Sequence, residues 1–263
     1  MEKIIVSMTT WPPRFYVAYE AMAAIVEQVK EDNLQYRVHC VMVLSEEEAC
    51  ATETRRAACH LMCQMYEMGV EVIIDPGNIM SHKKLIPTLE KYPNNPILVV
   101  DDDNTQWPGW LKTFVRDHDK HPNDIIYGQS LSHIELQGDK IVEVREQSIP
   151  FENNGKITNN MKPANGAAGT IYPAHTFTDP RFFDRELFMR LSPTSDETWQ
   201  WAFAKIAGKT FRQMSGNNMP MMLGAPPDSA LWHLNKDKYT DIHNAIAAEI
   251  PEYLEALKKE AAQ

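Results

Sequence analysis

Ile97-Leu98-Val99-Val100-Asp101-Asp102-Asp103-Asn104 is the stretch on which the reading of this chain turns. Four apolar, mostly β-branched residues predict a buried strand, and three carboxylates follow without a break. Pro96 closes the connection before the strand, and Trp107-Pro108-Gly109-Trp110 closes the one after it. The carboxylates are therefore expected at the C-terminal lip of a central strand, where open α/β sheets bind ligands. Three adjacent aspartates repel one another, which is costly unless a cation sits among them. Oxygen ligands at a crowded anionic site suit Mg2+ or Mn2+. A solvated acidic turn is the plainer reading, and the apolar strand directly before the cluster tells against it.

Upstream of this stretch, apolar runs predict strands over residues 3–8, 36–45 and 70–74. Helical spacing predicts helices over 16–30, 46–68 and 82–92, the first with Ala18, Met22, Ile25 and Val29 along one face. The order βαβαβαβ with short connections is that of a parallel sheet with helices packed on it. Its polar strand ends, Thr9-Thr10, Asp75 and Asp101 to Asp103, are expected on one C-terminal edge.

Downstream, a helix is expected over 110–120, a strand over 125–127, and a hairpin over 132–144 around Gly138-Asp139. Residues 150–163 read as a polar loop, and Gly166-Ala-Ala-Gly-Thr-Ile-Tyr-Pro173 as small residues entering a short strand. Turn and helix follow over 178–191, a helix over 195–207, a strand over 210–214, and a loop over 216–228. The chain finishes in a helix over 237–262, broken near Pro251.

The 263 residues are enough to bury a core. Hydrophobic residues at 43% and charged residues at 24% are ordinary for a globular protein. The formal net charge of −10, with no basic block, argues against nucleic acid as a partner. No apolar run is long enough for a transmembrane span. The first residues enter a strand without a secretory signal pattern. Cys40, Cys50, Cys59 and Cys63 lack zinc or redox spacing. A reducing cytoplasm is the expected location.

Each chemical constellation has two readings. On an extended strand end, Asp101 and Asp103 face one way with Asp102 between them; one could hold a divalent cation and the other a sugar hydroxyl or ribose. Asp196-Glu197 opens a helix after Pro193 and Ser195. It is either an N-terminal cap or, beside Trp199 and Trp201, a general base for a sugar hydroxyl. Lys83, Lys84 and Arg14 are either solvated charges or cations for a diphosphate. His233 is either a satisfied polar group or a metal ligand. Gly166 to Gly169 either brings backbone close to a ligand or makes a tight strand entry. No Gly-Lys-Ser/Thr follows it, and no G-x-G-x-x-G follows the first strand, so neither a P-loop nor a dinucleotide fold is expected.

Taken in order, the motifs are strand–Thr-Thr-x-Pro-Pro-Arg, Lys-Lys-Leu-Ile-Pro-x-Leu, strand–Asp-Asp-Asp, Gly-Ala-Ala-Gly-Thr-Ile-Tyr-Pro and Asp-Glu-x-Trp. Over residues 3–235 this series resembles bacterial family 2-like glycosyltransferases of the GT-A fold, small sugar transferases of surface-polysaccharide biosynthesis. The resemblance implies an α/β, Rossmann-like architecture with a mixed, mostly parallel central sheet and helices on both faces. It implies one domain over 1–263, with a nucleotide-binding half (1–110), an acceptor and catalytic half (111–236) and a C-terminal helix (237–263). The implied donor is a nucleotide-sugar, with UDP expected, and the implied cofactor is Mn2+ or Mg2+. The implied acceptor is a glycan or lipid-linked glycan, with peripheral association at a membrane. Thr9, Thr10, Arg14 and Asp75 would surround the nucleotide. Lys83 and Lys84 would face its phosphates, and Gly166 and Ala167 would line the donor. Asp101, Asp102 and Asp103 would hold ribose and metal, with His233 as a further metal ligand. Asp196 or Glu197 would be the base of an inverting hexosyl transfer; the pair is Asp-Glu where Asp-Asp is expected. Two alternatives stand beside this. One is a haloacid-dehalogenase-like phosphatase with Asp101 as nucleophile and Asp103 as acid; the other is a GT-A-like domain that only binds a glycan or a partner.

Overall fold

The structure, a computed structural model, describes residues 2–145, 155–164, 166–216, 220–224, 226, 231–235 and 237–262, without the side chains of Trp232 and His233. In chain order the first half runs β1 (Ile4–Thr9), α1 (Phe15–Glu31), β2 (Val38–Ser45), α2 (Glu46–Cys50), α3 (Arg55–Glu67), β3 (Glu71–Asp75), α4 (Ile86–Lys91), β4 (Ile97–Val100), β5 (Asn104–Thr105) and α5 (Trp110–Lys120). The second runs β6 (Ile125–Tyr127), β7 (Ser130–Gln137), β8 (Lys140–Arg145), β9 (Met161–Pro163), β10 (Thr170–Tyr172), α6 (Arg185–Leu191), α7 (Asp196–Ile206), β11 (Phe211–Gln213), β12 (Met221–Met222), α8 (Trp232–Asn235), α9 (Tyr239–Glu249) and α10 (Pro251–Ala261).

Seven strands form the central sheet in the order β11-β6-β10-β4-β1-β2-β3. All pairings are parallel except those of β10, which runs against both β4 and β6. The sheet is thus mixed and mostly parallel, and strands from both halves of the chain share it. Successive residues of the central strands feed opposite cores. Ile4, Val6, Met8, Leu98 and Val100 pack with α1, α3 and α5; Ile5, Ile97 and Val99 pack on the other face with α4, α6, α7, α9 and α10. Strands buried on both sides read as continuous apolar runs, which is why they were visible in the sequence.

Three local expectations need correction. The helix expected over 46–68 is two: Ser45 and Glu48 close a capping box on α2, and Ala51 leaves helical geometry (ψ 135°) before α3 begins. The helix expected over 82–92 is a 3-10 turn, Met80–Lys84, followed by α4. Pro87 lacks the amide that a helix interior requires but fits a first turn. The polar loop expected over 150–163 ends in β9, which joins β8 and β7 in a small sheet; residues 146–154 lie outside the described residues. The turn at Gly138 (φ 64°) and the break at Pro251 fall where expected. Among the described residues no helix is long and apolar enough to cross a membrane.

Candidate functional site

The C-terminal ends of β1 and β4 lie side by side, because these strands pair in parallel with Met8 opposite Val100. That pairing sets the carboxylates beside the loop after β1. The Thr10 hydroxyl donates to Asp102 Oδ2 at 2.6 Å. Arg14 closes a 3-10 turn begun by Pro12 and Pro13. Its Nη1 donates to Asp102 Oδ1 at 2.8 Å and lies 3.0 Å from Asp103 Oδ2. Asp101 turns the other way, to Lys84 Nζ at 2.7 Å. The alternation expected of an extended strand end is therefore not what happens. Residues 102–103 are already a turn, so Asp102 and Asp103 share Arg14 and Asp101 stands apart.

The charges answer this arrangement. Burial raises the pKa of Asp102, against the pull of Arg14 and Thr10. Burial and the neighbouring Asp101 push Asp103 up to about 6. Burial works against the charge on Arg14, and the adjoining Asp102 and Asp103 outweigh it.

Lys84 carries the site across the molecule. Its side chain is 9% exposed, and its ammonium reaches Asp101 Oδ1 at 2.7 Å and Asp196 Oδ2 at 3.6 Å. Burial disfavours that charge, but the two carboxylates raise its pKa above that of an ordinary lysine. Two motifs distant in sequence thus meet at one cation. Gly166 makes room for Asp101: a Cβ there would lie 1.8 Å from Asp101 Oδ1. The Asp101 amide donates to the Gly166 carbonyl at 3.0 Å, and Gln106 Nε2 donates to the Ala167 carbonyl at 2.8 Å. The small-residue loop is therefore laid directly along the carboxylates.

Asp196 and Glu197 open α7, and Ser195, the N-cap, makes no side-chain capping bond. Asp196 Oδ2 accepts from Gln200 Nε2 at 3.2 Å in addition to facing Lys84. Glu197 is less enclosed, its Oε1 lying 3.7 Å from Lys162 Nζ. Burial raises its pKa while Lys162 opposes the rise. Trp199 and Trp201 do not flank the pair as expected. Both are core residues, because a helix buried on nearly all sides turns its aromatics inward. Trp199 donates to the Phe182 carbonyl and Trp201 packs on Phe211.

The remaining sequence candidates lie elsewhere. The Thr9 hydroxyl donates to the Val43 carbonyl at 2.8 Å and serves the sheet. Asp75 is gripped by both Arg185 Nη atoms at 2.9 and 2.8 Å. Lys83 is buried against Glu48, with Asn78 Oδ1 at 3.3 Å. These form a second polar group at the β3 edge rather than part of the aspartate cluster. His233 belongs to α8, and its side chain lies outside the described residues. Sequence reading missed Lys162, Gln106 and Arg185. Each finds its partner on a distant element, so no local spacing marks it.

The donor chemistry suits a hard cation shared with a substrate. Asp102 is committed to Thr10 and Arg14, leaving Asp101 and Asp103 as carboxylate donors, and burial together with Asp101 makes the charge on Asp103 costly. Among the described residues no group of three His, Cys, Asp or Glu side chains is set to enclose a metal ion. Two carboxylates completed by substrate phosphate are a common arrangement for Mg2+.

No family model and no curated protein matches the chain. Solved structures do. S. aureus TarS 1-349 superposes with a TM-score of 0.58 at 16% identity, covering 94% of this chain and 72% of that one. TarS 1-349 in complex with UDP gives 0.57 at 15% identity, covering 94% and 65%. The complex with UDP-GlcNAc gives 0.53 at 13% identity, covering 97% and 79%. Against the longer TarS chain the match covers 37% of that chain. At these identities the likeness is one of fold, and the GT-A-like mixed α/β architecture expected from the sequence is the one observed.

Proposed function

We propose that this chain is a glycosyltransferase that moves a sugar from a nucleotide-sugar, with UDP as the nucleotide, to a hydroxyl of a glycan or lipid-linked glycan. The observation that carries the reading is the Lys84 bridge, which joins Asp101, at the C-terminal edge of the sheet, to Asp196, at the start of α7. The likeness in fold to a protein solved with UDP and UDP-GlcNAc supports it. Asp101 and Asp103 would hold Mg2+ or Mn2+, which when bound offsets the charge of the diphosphate. Arg14 fixes the turn of Asp102 and Asp103, and Lys84 adds a permanent cation beside the diphosphate. Asp196 or Glu197 takes the proton of the acceptor hydroxyl as it attacks from the face opposite the departing diphosphate, which inverts the anomeric centre.

Thermal stability with UDP, with and without Mn2+, tests the donor half of the reading. At a ligand concentration a hundred times its dissociation constant the stabilisation is ~2.7 kcal/mol. It should vanish in EDTA; equal stabilisation there refutes the metal role. Transfer from UDP-sugars to glycan acceptors, with the product's anomeric configuration read by NMR, tests the rest. Release of free phosphate from phosphate esters, without sugar transfer, would favour the phosphatase instead. That alternative wants its second acidic pair at the end of a strand, whereas Asp196-Glu197 opens a helix.

A further inference from the structure

Lys162 is a lysine with almost no access to water. It stands on β9 with its side chain 3% exposed, inside a polar group built from four elements. Its Nζ lies 3.3 Å from Glu143 Oε2 on β8 and 3.7 Å from Glu197 Oε1 on α7. It donates to Thr198 Oγ1 at 3.3 Å and sits 4.3 Å from the centre of the Tyr239 ring on α9. A buried ammonium persists only where it is paired, and here the two carboxylates differ. The Glu143 side chain is 1% exposed and its Oε2 also meets His243 Nε2 at 3.1 Å. The Glu197 side chain is 19% exposed and stands next to Asp196, hence beside the Lys84 bridge. One end of the pair is an anchor and the other opens toward the site.

We propose that Lys162, anchored by Glu143, is a positioning residue that holds Glu197 ionised and aimed at the acceptor hydroxyl, while Asp196 is reserved for Lys84. This rests on the glycosyltransfer reading above. In that step the acceptor O–H bond breaks and its proton passes to Glu197. The acceptor oxygen bonds to the anomeric carbon, and the bond to the diphosphate breaks with its electron pair leaving on the diphosphate. The groups facing Glu197 are Asp196 on its own helix, Lys162 from β9, Lys84 from the 3-10 turn and Tyr239 from α9; Glu143 stands behind Lys162. Burial and Glu197 itself raise the pKa of the Tyr239 phenol, so it stays neutral and able to donate. Arg145 also lies over that ring, 4.6 Å from its centre. Burial lowers the pKa of His243, the second support of Glu143, and Glu143 opposes this. Lys162 is then the cation that favours the Glu197 carboxylate most, with Lys84 adding a smaller pull.

The test compares Lys162→Met and the double variant Glu143→Gln/Lys162→Met with the full-length parent. Lys162→Met should lose ~10²-fold in turnover, the lower end of what a general base contributes, with UDP affinity within about twofold of the parent. The acid limb of the kcat/KM profile should move up by about one pH unit, because Glu197 must then ionise without its cation. The double variant removes both buried charges together. It should recover the thermal stability lost in Lys162→Met while turnover stays low. Parental turnover in the double variant would overturn the proposal, since Lys162 would then matter to the fold alone. Carboxyl-carbon NMR, with the Glu197 signal assigned through Glu197→Gln, reads the coupling without any transfer assay. An unchanged Glu197 titration in both variants overturns the inference, and an upward shift supports it. If the parent transfers no sugar from any donor, the glycosyltransfer reading falls, and the titration still decides whether Lys162 governs Glu197.

Discussion

A methyl group at Gly166 probes the placement of Asp101 without touching any charge. Its carbon would lie 1.8 Å from Asp101 Oδ1, 2.1 Å from Cγ and 2.6 Å from Oδ2. All three atoms belong to the carboxyl group, so Gly166→Ala forces that group aside. Gly166 is not one of the glycines with positive φ, so its requirement is space rather than backbone freedom. The backbones cannot simply part, because the Asp101 amide donates to the Gly166 carbonyl at 3.0 Å. A displaced carboxyl gives up the 2.7 Å bond from Lys84, and hydrogen bonds to charged groups contribute about 1.5–3 kcal/mol. The Asp101 side chain is 31% exposed, so solvent screening takes the expected loss down to ~1–2 kcal/mol. For a domain of this size that is a fall of roughly 2–8 °C in Tm. Urea denaturation of Gly166→Ala, Asp101→Ala and the pair closes a double-mutant cycle. The methyl group should cost little once Asp101 is alanine, giving an interaction energy of ~1 kcal/mol or more. UDP-dependent stabilisation should weaken in Gly166→Ala alone. A methyl group equally costly in both backgrounds would show that the glycine does not serve the carboxylate.

Lys84→Met should abolish UDP-dependent stabilisation and lower stability by ~3 kcal/mol, the cost of breaking a buried pair; a parental thermal shift with UDP would refute its place at the phosphates. Asp103→Ala should lose the divalent-dependent part of UDP binding while the ligand-free Tm holds or rises, because one of three repelling carboxylates is gone; unchanged donor affinity, measured by titration calorimetry, would show that Asp103 is no ligand. Glu143 sets a pH dependence. Burial would raise its carboxyl, but Lys162 and His243 hold it down at about 2, against an ordinary 4.5. A depressed carboxylate stabilises the fold above its unfolded value and loses that stability as pH falls toward its folded value. Parental stability should therefore drop between pH 4.5 and 2, and Glu143→Gln should flatten that part of the profile in acid denaturation.

What the sequence displayed and what it hid follow from the range of the interactions involved. β1, β2 and β4 showed because each is a mostly apolar run buried, but for Thr9 and His39, on both faces. The aspartate cluster showed because it interrupts such a run. The helix breaks near residues 51 and 85 did not: Ala51 leaves helical geometry and Thr54 starts α3 without a side-chain capping bond, and Pro87 starts α4 inside continuous helical spacing. Lys83 and Lys84 are neighbours in sequence, yet one pairs with Glu48 and the other with Asp101. Only the 3-10 turn that carries them separates their directions. Trp199 and Trp201 misled for the opposite reason: adjacency to a carboxylate in sequence says nothing about which face of a buried helix an aromatic occupies. Glu143, Lys162 and Tyr239 come from three distant segments, so their meeting is a property of tertiary structure alone.

The charge distribution of the site ties these observations together. Among the described residues, Asp101, Asp102, Asp103, Asp196 and Glu197 are held by three cations, Arg14, Lys84 and Lys162. Each cation contacts two of these carboxylates or, for Lys162, one of them and Glu143. No member of this set carries a cation of its own, and at Asp103 burial and the neighbouring Asp101 together push the carboxyl up to about 6. Such a surplus at a buried edge is costly, because a carboxylate that only shares a cation recovers its desolvation in part. Stability given up at one place in an otherwise consistent fold is the physical mark of a site made for a ligand. Under the proposed function a divalent cation would relieve it. A bare diphosphate would deepen the imbalance, whereas a diphosphate carrying a divalent ion brings the missing positive charge into the cluster. The same accounting separates the two ends of the site. Asp196 shares Lys84 with Asp101 and is tied to the aspartate cluster, and Glu197 draws on Lys162. Neutralising Lys84 should therefore act first on donor binding, and neutralising Lys162 first on the step in which the acceptor loses its proton.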